Sequence, residues 1–206
     1  MSKARAKKIK VILFDVDGVL TDGTIWLLPA PGGAKPTSSA GGQPLSVSGS
    51  NTVEAKGFHA HDGTAISLAK LGGIKVGFVT KRNSETVALR AHDLKIDFLY
   101  QGMADKVEAL ERIVAIERIN ATEVAFIGDD VVDLPIMRRC GLAIAVPNAR
   151  KEVIDEAHVI TEHRGGEGAG RDAIEYVLKA QGKLKKTIDS YIATRPAVQK
   201  TMVKKS

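Results

Sequence analysis

Short runs of apolar, often β-branched residues alternate along the chain with longer stretches in which apolar residues recur every three or four positions. The short runs predict strands and the longer stretches predict helices. The predicted strands are residues 10–14, 74–79, 98–100, 124–127, 142–146 and 157–160, and the predicted helices are residues 65–71, 84–94, 105–116, a segment through Met137 and Arg138, and 170–179. For the first helix, Asp62 is the predicted N-cap and Gly72 with Gly73 the stop. This alternation favours a mainly parallel sheet with helices on both faces, a Rossmann-like three-layer α/β fold.

One segment interrupts the alternation: residues 29–51 are rich in Pro, Gly, Ser and Ala. Only about 28 residues precede it, too few for a separate domain. We therefore interpret it as a long insertion in a protruding β-hairpin over about residues 24–58, with residues 24–28 and 52–58 as its arms. The chain is predicted to be a single domain over residues 1–206, with basic tails at both ends.

The composition excludes several classes of protein. The 206 residues include one cysteine, Cys140, which excludes an internal disulfide framework and a cysteine-based zinc cluster. No apolar run approaches the roughly 20 residues that a membrane span needs, and no apolar signal-peptide core follows the basic first ten residues. We therefore expect a cytoplasmic protein without a membrane partner.

The net charge of +6 comes largely from the two ends of the chain. The basic residues there are Lys3, Arg5, Lys7, Lys8 and Lys10 at the start and Lys200, Lys204 and Lys205 at the end. Aromatic residues make up only 4% of the chain, so it lacks the aromatic-rich basic platform typical of nucleic-acid binding. We expect a small anionic substrate rather than nucleic acid.

Polar residues follow several of the predicted strands at the point where each strand ends. Asp15 and Asp17 follow the first strand and Thr80 the second. Lys106 opens a predicted helix, and a later strand is followed by three acids, Asp129, Asp130 and Asp133. The carboxyl ends of parallel strands meet at one edge of the sheet, where ligands bind. The fold is therefore expected to gather these residues in one crevice.

Their chemistry is complementary. Carboxylates crowded together are stable only with a cation or with shared protons, and a donor set without His or Cys favours Mg²⁺. The hydroxyl of Thr80, the ammonium of Lys106 and the backbone amides near Gly18 suit the oxygens of a phosphoryl group. One aspartate of the DVDG sequence is then available to attack phosphorus, and the other to protonate the leaving oxygen and activate water. Any one of these residues alone is more often structural, but their conjunction indicates phosphoryl transfer.

These residues resemble the haloacid dehalogenase superfamily. DVDGVLTDG is similar to its first motif, Thr80 to its second, Lys106 to its third and GDDVVD to its fourth, and the match extends from about residue 10 to 183. Further segments resemble a capless subfamily that acts on phosphorylated sugar acids: FHAHDG, LYQG, GDDVVDLPIM, GGEGAGRD and AQGKL. The resemblance implies a tetramer whose hairpins associate, in which a neighbour's C-terminal segment helps to close the site.

The resemblance also implies a role for each residue of the motifs. Asp15 would be the nucleophile and a Mg²⁺ ligand. Asp17 would be the general acid and base and would bind Mg²⁺ through its backbone carbonyl. Asp129 would complete the metal site, with Asp130 or Asp133 acting directly or through water. Thr80 and Lys106 would hold the phosphoryl oxygens.

Further positions are candidates for binding the rest of the substrate. Arg82 and Arg90 match positions of the subfamily that suit bidentate recognition of the carboxylate of a sugar acid. His61, which stands where an arginine is common, is a candidate donor to the substrate, and Arg171 a candidate for closing a neighbouring subunit's site. A second departure from the family pattern is Lys81, which replaces the usual glycine of the second motif.

The resemblance makes 3-deoxy-D-manno-octulosonate 8-phosphate, an eight-carbon ester of lipopolysaccharide precursor synthesis, the first expected substrate. The alternatives are a nine-carbon sialic-acid-type 9-phosphate, a receiver-like phosphoacceptor domain and a non-catalytic member of the superfamily. Asp17 argues against the receiver domain, because an acid two residues after the nucleophile promotes turnover. The intact acids, Thr80 and Lys106 argue against a non-catalytic role.

Overall fold

A computed structural model describes residues 1–29 and 52–193 and contains a six-stranded parallel sheet. Its strands are β1 (Val11–Phe14), β4 (Lys75–Val79), β5 (Phe98–Tyr100), β6 (Val124–Gly128), β7 (Leu142–Ala145) and β8 (Val159–Ile160), in the spatial order β5-β4-β1-β6-β7-β8. The other two strands, β2 (Trp26–Pro29) and β3 (Thr52–Ala55), pair antiparallel as the predicted hairpin. Residues 30–51, which carry nearly all of the predicted insertion, and the lysines near the C-terminus lie outside the described residues.

Eight α-helices lie in the described ranges. They are α1 (Ser2–Ala6), α2 (Ala60–Leu71), α3 (Glu85–Asp93), α4 (Lys106–Glu117), α5 (Leu134–Arg139), α6 (Lys151–Glu156), α7 (Ala169–Ala180) and α8 (Leu184–Ala193). The prediction of Asp62 as the N-cap of α2 is wrong, because the helix begins at Ala60 with His59 at the N-cap. Asp62 is instead buried in the first turn, and its Oδ1 accepts the backbone N–H of Arg171 on α7 at 2.8 Å. The carboxylate thus joins two helices rather than capping its own.

The sheet has a core on each face, which confirms the three-layer fold. Successive side chains of a strand point to opposite faces, so Ile12 and Phe14 of β1 enter one core while Val11 and Leu13 enter the other. Helices α1, α2, α3 and α7 contribute to the first core, and α4, α5 and α6 to the second. A strand buried on both faces is a continuous apolar run, and this explains why VILF of β1 shows no alternation with polar residues.

The strand order determines where the site lies. The chain winds from β1 to β4 and β5 on one side, then crosses to β6 on the other side of β1. The gap between β1 and β6 is therefore the switch point at which α/β sheets bind ligands. Phe14 is level with Ile127, and the backbone N–H of Asp15 donates to the carbonyl of Ile127 at 2.9 Å. This register brings the acids after β1 and β6 together.

Candidate active site

The site is built around a buried lysine between two buried carboxylates. Lys106 Nζ lies 2.9 Å from Asp15 Oδ1 and 2.6 Å from Asp133 Oδ1. Asp15 follows β1, Asp133 ends a 3₁₀ turn (Val131–Asp133), and Lys106 opens α4, where the side chain of Asp105 caps the helix by accepting the N–H of Val107. All three charged side chains are almost completely removed from solvent. The single ammonium leaves this trio with a net negative charge when both acids are ionised.

Burial and mutual interaction shift the pKa values of this group. Burial lowers the pKa of Lys106, but the carboxylates of Asp15 and Asp133 outweigh that effect and raise it above its usual value. The pKa of Asp15 is raised to about 6, because burial and the carboxylate of Asp133 together outweigh the lowering by Lys106. Because its pKa is raised, Lys106 remains an ammonium at neutral pH.

Asp129 is the member of the site whose charge lacks compensation. Its Oδ1 is buried and accepts no hydrogen bond from the described residues. Burial, followed by the charges of Asp15 and Asp133, raises the pKa of Asp129 to about 8 against the opposing effect of Lys106. One carboxylate oxygen each from Asp15, Asp129 and Asp133 lies within 4.8 Å of the others. An all-carboxylate donor set with an unpartnered oxygen fits a hard divalent cation such as Mg²⁺.

Gly18 lies against Asp129. It has a φ of +87°, and a Cβ built there would be 2.1 Å from Asp129 Oδ2. Both the left-handed backbone and the lack of space require glycine at this position. The G of DVDG therefore allows the loop after β1 to pass directly beside the acid after β6.

Asp133 and Asp130 differ in what they contact. Asp133 Oδ2 accepts the backbone N–H groups of Asp129 at 3.0 Å and Asp130 at 3.3 Å, so this carboxylate also shapes the loop after β6. Asp130 is exposed, and its Oδ1 accepts the N–H of Val131 at 2.7 Å. Of the two acids that the sequence leaves open as metal ligands, the structure brings Asp133 into the cluster and leaves Asp130 outside it.

Asp17 lies beside the cluster, in contact with two cations. Lys56 Nζ donates to Asp17 Oδ1 at 2.5 Å, and Arg82 Nε lies 3.8 Å from Asp17 Oδ2. Thr80 is buried at the end of β4, the neighbour of β1, and its Oγ1 accepts the N–H of Arg82 at 3.4 Å.

Sequence reasoning missed Lys56, which directly follows β3 of the hairpin. A lone lysine in a hairpin arm has no motif or periodicity that could reveal this contact.

The other predicted substrate-binding residues surround Asp62. His61 packs edge-on against His59 with ring centroids 4.7 Å apart, and Arg90 pairs with Asp93 at 3.0 Å. Arg171 Nε donates to Glu175 at 2.7 Å, while its backbone N–H donates to Asp62. Within the described residues, this group is separate from the carboxylate cluster, and Arg82 is the one predicted recognition side chain that touches a catalytic candidate. A role of Arg171 in a neighbouring subunit stays a prediction.

Comparison with known proteins agrees with this site. The sequence model of the haloacid dehalogenase-like hydrolase family matches residues 79–170. The 3-deoxy-D-manno-octulosonate 8-phosphate phosphatase of Escherichia coli K12 is 35% identical over 181 residues, which cover 88% of this chain and 85% of the relative. No helix among the described residues is long and apolar enough to cross a membrane.

Solved structures show the same likeness. The phosphatase of that name from Moraxella catarrhalis, in complex with a magnesium ion, a phosphate ion and a KDO molecule, has a TM-score of 0.76 and 33% identity over 92% of this chain and 97% of that chain. The cobalt-bound deoxy-D-mannose-octulosonate 8-phosphate phosphatase of Haemophilus influenzae has a TM-score of 0.73 and 30% identity over 91% of this chain and 99% of that chain. The chain therefore belongs to the haloacid dehalogenase-like hydrolase family, as its motifs predict.

Proposed function

We propose that this protein is a Mg²⁺-dependent phosphoric monoester hydrolase whose substrate is 3-deoxy-D-manno-octulosonate 8-phosphate. The observation that carries the proposal is the buried, unpartnered oxygen of Asp129 beside Asp15, Asp133 and Lys106. This arrangement suits the binding of a metal ion and a phosphoryl group. A purely structural role or a receiver domain would not explain the nearby Asp17. The substrate follows from the names of the relatives, which are octulosonate phosphatases.

In the proposed first step, Asp15 attacks phosphorus. Its Oδ1 is held by Lys106 and by the N–H of Val16 at 2.7 Å, which leaves Oδ2 as the attacking oxygen. The new bond joins Oδ2 to phosphorus as the bond from phosphorus to the sugar oxygen breaks. Asp17, in its carboxylic acid form, gives its proton to that departing oxygen. The products are a phosphorylated Asp15 and the free sugar acid.

In the second step, a water molecule loses a proton to Asp17 and its oxygen attacks phosphorus. The bond between phosphorus and Asp15 breaks, and inorganic phosphate and the original carboxylate are restored. Lys106 and Thr80 hold the phosphoryl oxygens in both steps. Asp15, Asp129, Asp133 and the backbone carbonyl of Asp17 would hold Mg²⁺, which supplies positive charge to the phosphoryl oxygens when it is bound.

Self-association through the hairpin is part of this proposal. Four apolar side chains of β2 and β3 are about half exposed: Trp26 at 58%, Leu27 at 63%, Leu28 at 47% and Val53 at 46%. Trp26, Leu28 and Val53 share one face of this two-stranded ribbon, because Leu28 pairs with Val53 and alternate residues point to the same face. An apolar patch of this kind favours burial against another chain. We expect a homotetramer by sedimentation velocity, and Leu28→Asp to reduce the sedimentation coefficient to that of a smaller species. An unchanged coefficient would place the contact elsewhere.

Initial rates of phosphate release on a panel of esters test the function. The panel contains the eight-carbon octulosonate 8-phosphate, a nine-carbon sialic-acid-type 9-phosphate and a hexose phosphate, each with Mg²⁺ or with EDTA. We expect the highest kcat/KM on the eight-carbon ester, dependence on Mg²⁺, and loss of turnover in Asp15→Asn. Equal or better turnover of the nine-carbon ester would overturn the choice of substrate. Full activity in Asp15→Asn would overturn the mechanism.

A further inference from the structure

Lys56 connects the hairpin to the proposed acid and base. Its side chain has an exposed fraction of 0%, and its Nζ lies 2.5 Å from Asp17 Oδ1 and 3.7 Å from Glu54 Oε1. A lysine with no accessible surface is uncommon, and burying its charge is costly unless acceptors surround it. Here the ammonium donates to Asp17 of the β1 loop and forms an ion pair with Glu54 of β3, so it joins two separate parts of the chain.

Glu54 is itself fixed from several directions. Its Oε2 accepts from Arg82 at 3.0 Å, and its Oε1 accepts from the hydroxyl of Ser84, the N-cap of α3. The hydroxyl of Thr86 donates to the backbone carbonyl of Glu54 at 2.9 Å. Burial raises the pKa of Glu54, but the hydrogen bonds from Ser84 and Arg82 and the charges of Lys56 and Arg82 together bring it below its usual value. An ionised, well-anchored Glu54 holds the lysine in place.

We infer that Lys56 is a positioning residue that determines which oxygen of Asp17 handles the proton. This inference rests on the proposed function, in which Asp17 protonates the leaving sugar oxygen. A carboxylic acid carries its proton on one oxygen and accepts hydrogen bonds with the other. Because Lys56 donates to Oδ1, the proton belongs on Oδ2, and the rotation of the carboxyl group is fixed. Lys56 acts through Asp17, because its side chain is enclosed and its ammonium is engaged by Asp17 and Glu54.

The leaving group separates this role from a general structural one. The alkoxide of a sugar needs a proton as it departs, whereas p-nitrophenolate is a weak base and departs without one. The value of kcat/KM reports the steps up to and including this departure. In Lys56→Met we expect kcat/KM to fall about 10-fold or more on the sugar-acid phosphate, within the ~10²–10⁴-fold that general acid catalysis provides, and less than about 3-fold on p-nitrophenyl phosphate.

Three further variants serve as controls. Lys75→Met removes a lysine that also holds a carboxylate, Glu117, at 2.6 Å, but at the start of β4 and thus at the opposite end of the sheet. It should leave the ratio of the two kcat/KM values unchanged. Lys56→Arg, which keeps a donor, should restore most of that ratio. In the Asp17→Asn background, Lys56→Met should cause no additional loss on the sugar-acid ester.

The outcomes distinguish this inference from the proposed function. Failure of the proposed function would appear in the wild type, as phosphate release that is absent or that survives Asp15→Asn. The inference on Lys56 is overturned if the wild type turns over normally and Lys56→Met lowers both kcat/KM values equally. Each rate is divided by the concentration of folded protein, which the thermal unfolding curve of that variant provides. If Lys56→Met does not fold, Lys56→Leu, which also lacks a donor, carries the same expectation and the same contradiction.

Discussion

The crowded carboxylates predict that the metal-free protein loses stability as pH rises, with Asp129 as the main cause. The pKa of Asp129 is raised from 3.8 to about 8 in the folded chain by burial and by its acidic neighbours. The folded state therefore binds this proton more tightly than the unfolded state does. The resulting stabilisation is fully present below the unfolded pKa and is lost as pH rises through the folded pKa, so the window runs from about 4 to about 8.

The size of the effect follows from the same values. Inside the window the free energy of unfolding falls by about 1.4 kcal/mol per pH unit, and the slope levels off near the folded pKa. From pH 6 to pH 8 the expected loss is about 2 kcal/mol. Mg²⁺ requires the ionised carboxylates, so its stabilising effect should increase over the same range.

Urea unfolding at pH 6, 7 and 8 in EDTA measures this loss. The wild type is compared with Asp129→Asn, which keeps the shape of the side chain and cannot ionise. At each pH the measured quantity is the free energy of unfolding of Asp129→Asn minus that of the wild type. We expect this difference to be about 2 kcal/mol larger at pH 8 than at pH 6. The exposed neighbour Asp130 provides the control: its charge raises the pKa of Asp129 less than burial, Asp15 and Asp133 do, so Asp130→Asn should keep most of the wild-type pH dependence. The same pH dependence in the wild type and Asp129→Asn would refute the reasoning.

Three more substitutions test the site. Lys106→Met leaves the buried Asp15 and Asp133 without their counter-ion. We expect the free energy of unfolding in urea at neutral pH to fall by about 3–5 kcal/mol and phosphatase activity to be lost. A stable, active variant would contradict the ion-pair assignment. Gly18→Ala forces a Cβ against Asp129 and should abolish Mg²⁺-dependent turnover, whereas Gly73→Ala, with a similar φ of +74° and nothing within 4 Å, should cost stability alone; equal activity of the two would contradict the close contact. Asp130→Asn should keep kcat within about 3-fold of the wild type, because it leaves the general acid and the proposed metal ligands unchanged. Loss of the general acid would cost ~10²-fold or more. A large loss of kcat in steady-state assays would indicate that Asp130 is a metal ligand.

The sequence predicts the positions of the main acids because the ends of strands can be recognised from it. Asp15, Asp129 and Lys106 follow or precede apolar runs whose parallel pairing brings them together, and the structure confirms that they meet. The role of Asp62 was not predictable, because its partner Arg171 is 109 residues away along the chain. The contact of Lys56 with Asp17 also depends on tertiary structure, since the two residues are 39 positions apart along the chain.

Short or late helices were missed for a similar reason. Helices α1 and α6 have five and six residues, too few to show the recurrence of apolar positions that identifies a helix. Helix α8 packs against the first core mainly through partly buried side chains such as Ile188 and Tyr191. Helices as short as α1 and α6 owe their conformation to tertiary packing rather than to a strong local signal.

The central claim is that Asp15 becomes phosphorylated and that Asp17 serves the steps before and after. The most direct test is rapid acid quench of Asp17→Asn mixed with Mg²⁺ and p-nitrophenyl phosphate, whose leaving group needs no proton from Asp17, followed by mass spectrometry of the proteolytic peptide that contains residues 11–23. The account predicts a phosphoryl group on Asp15 that accumulates because the activated water is missing. A phosphoryl group on another residue, or a burst of p-nitrophenol equal to the enzyme concentration with no phosphoryl group on this peptide, would contradict it.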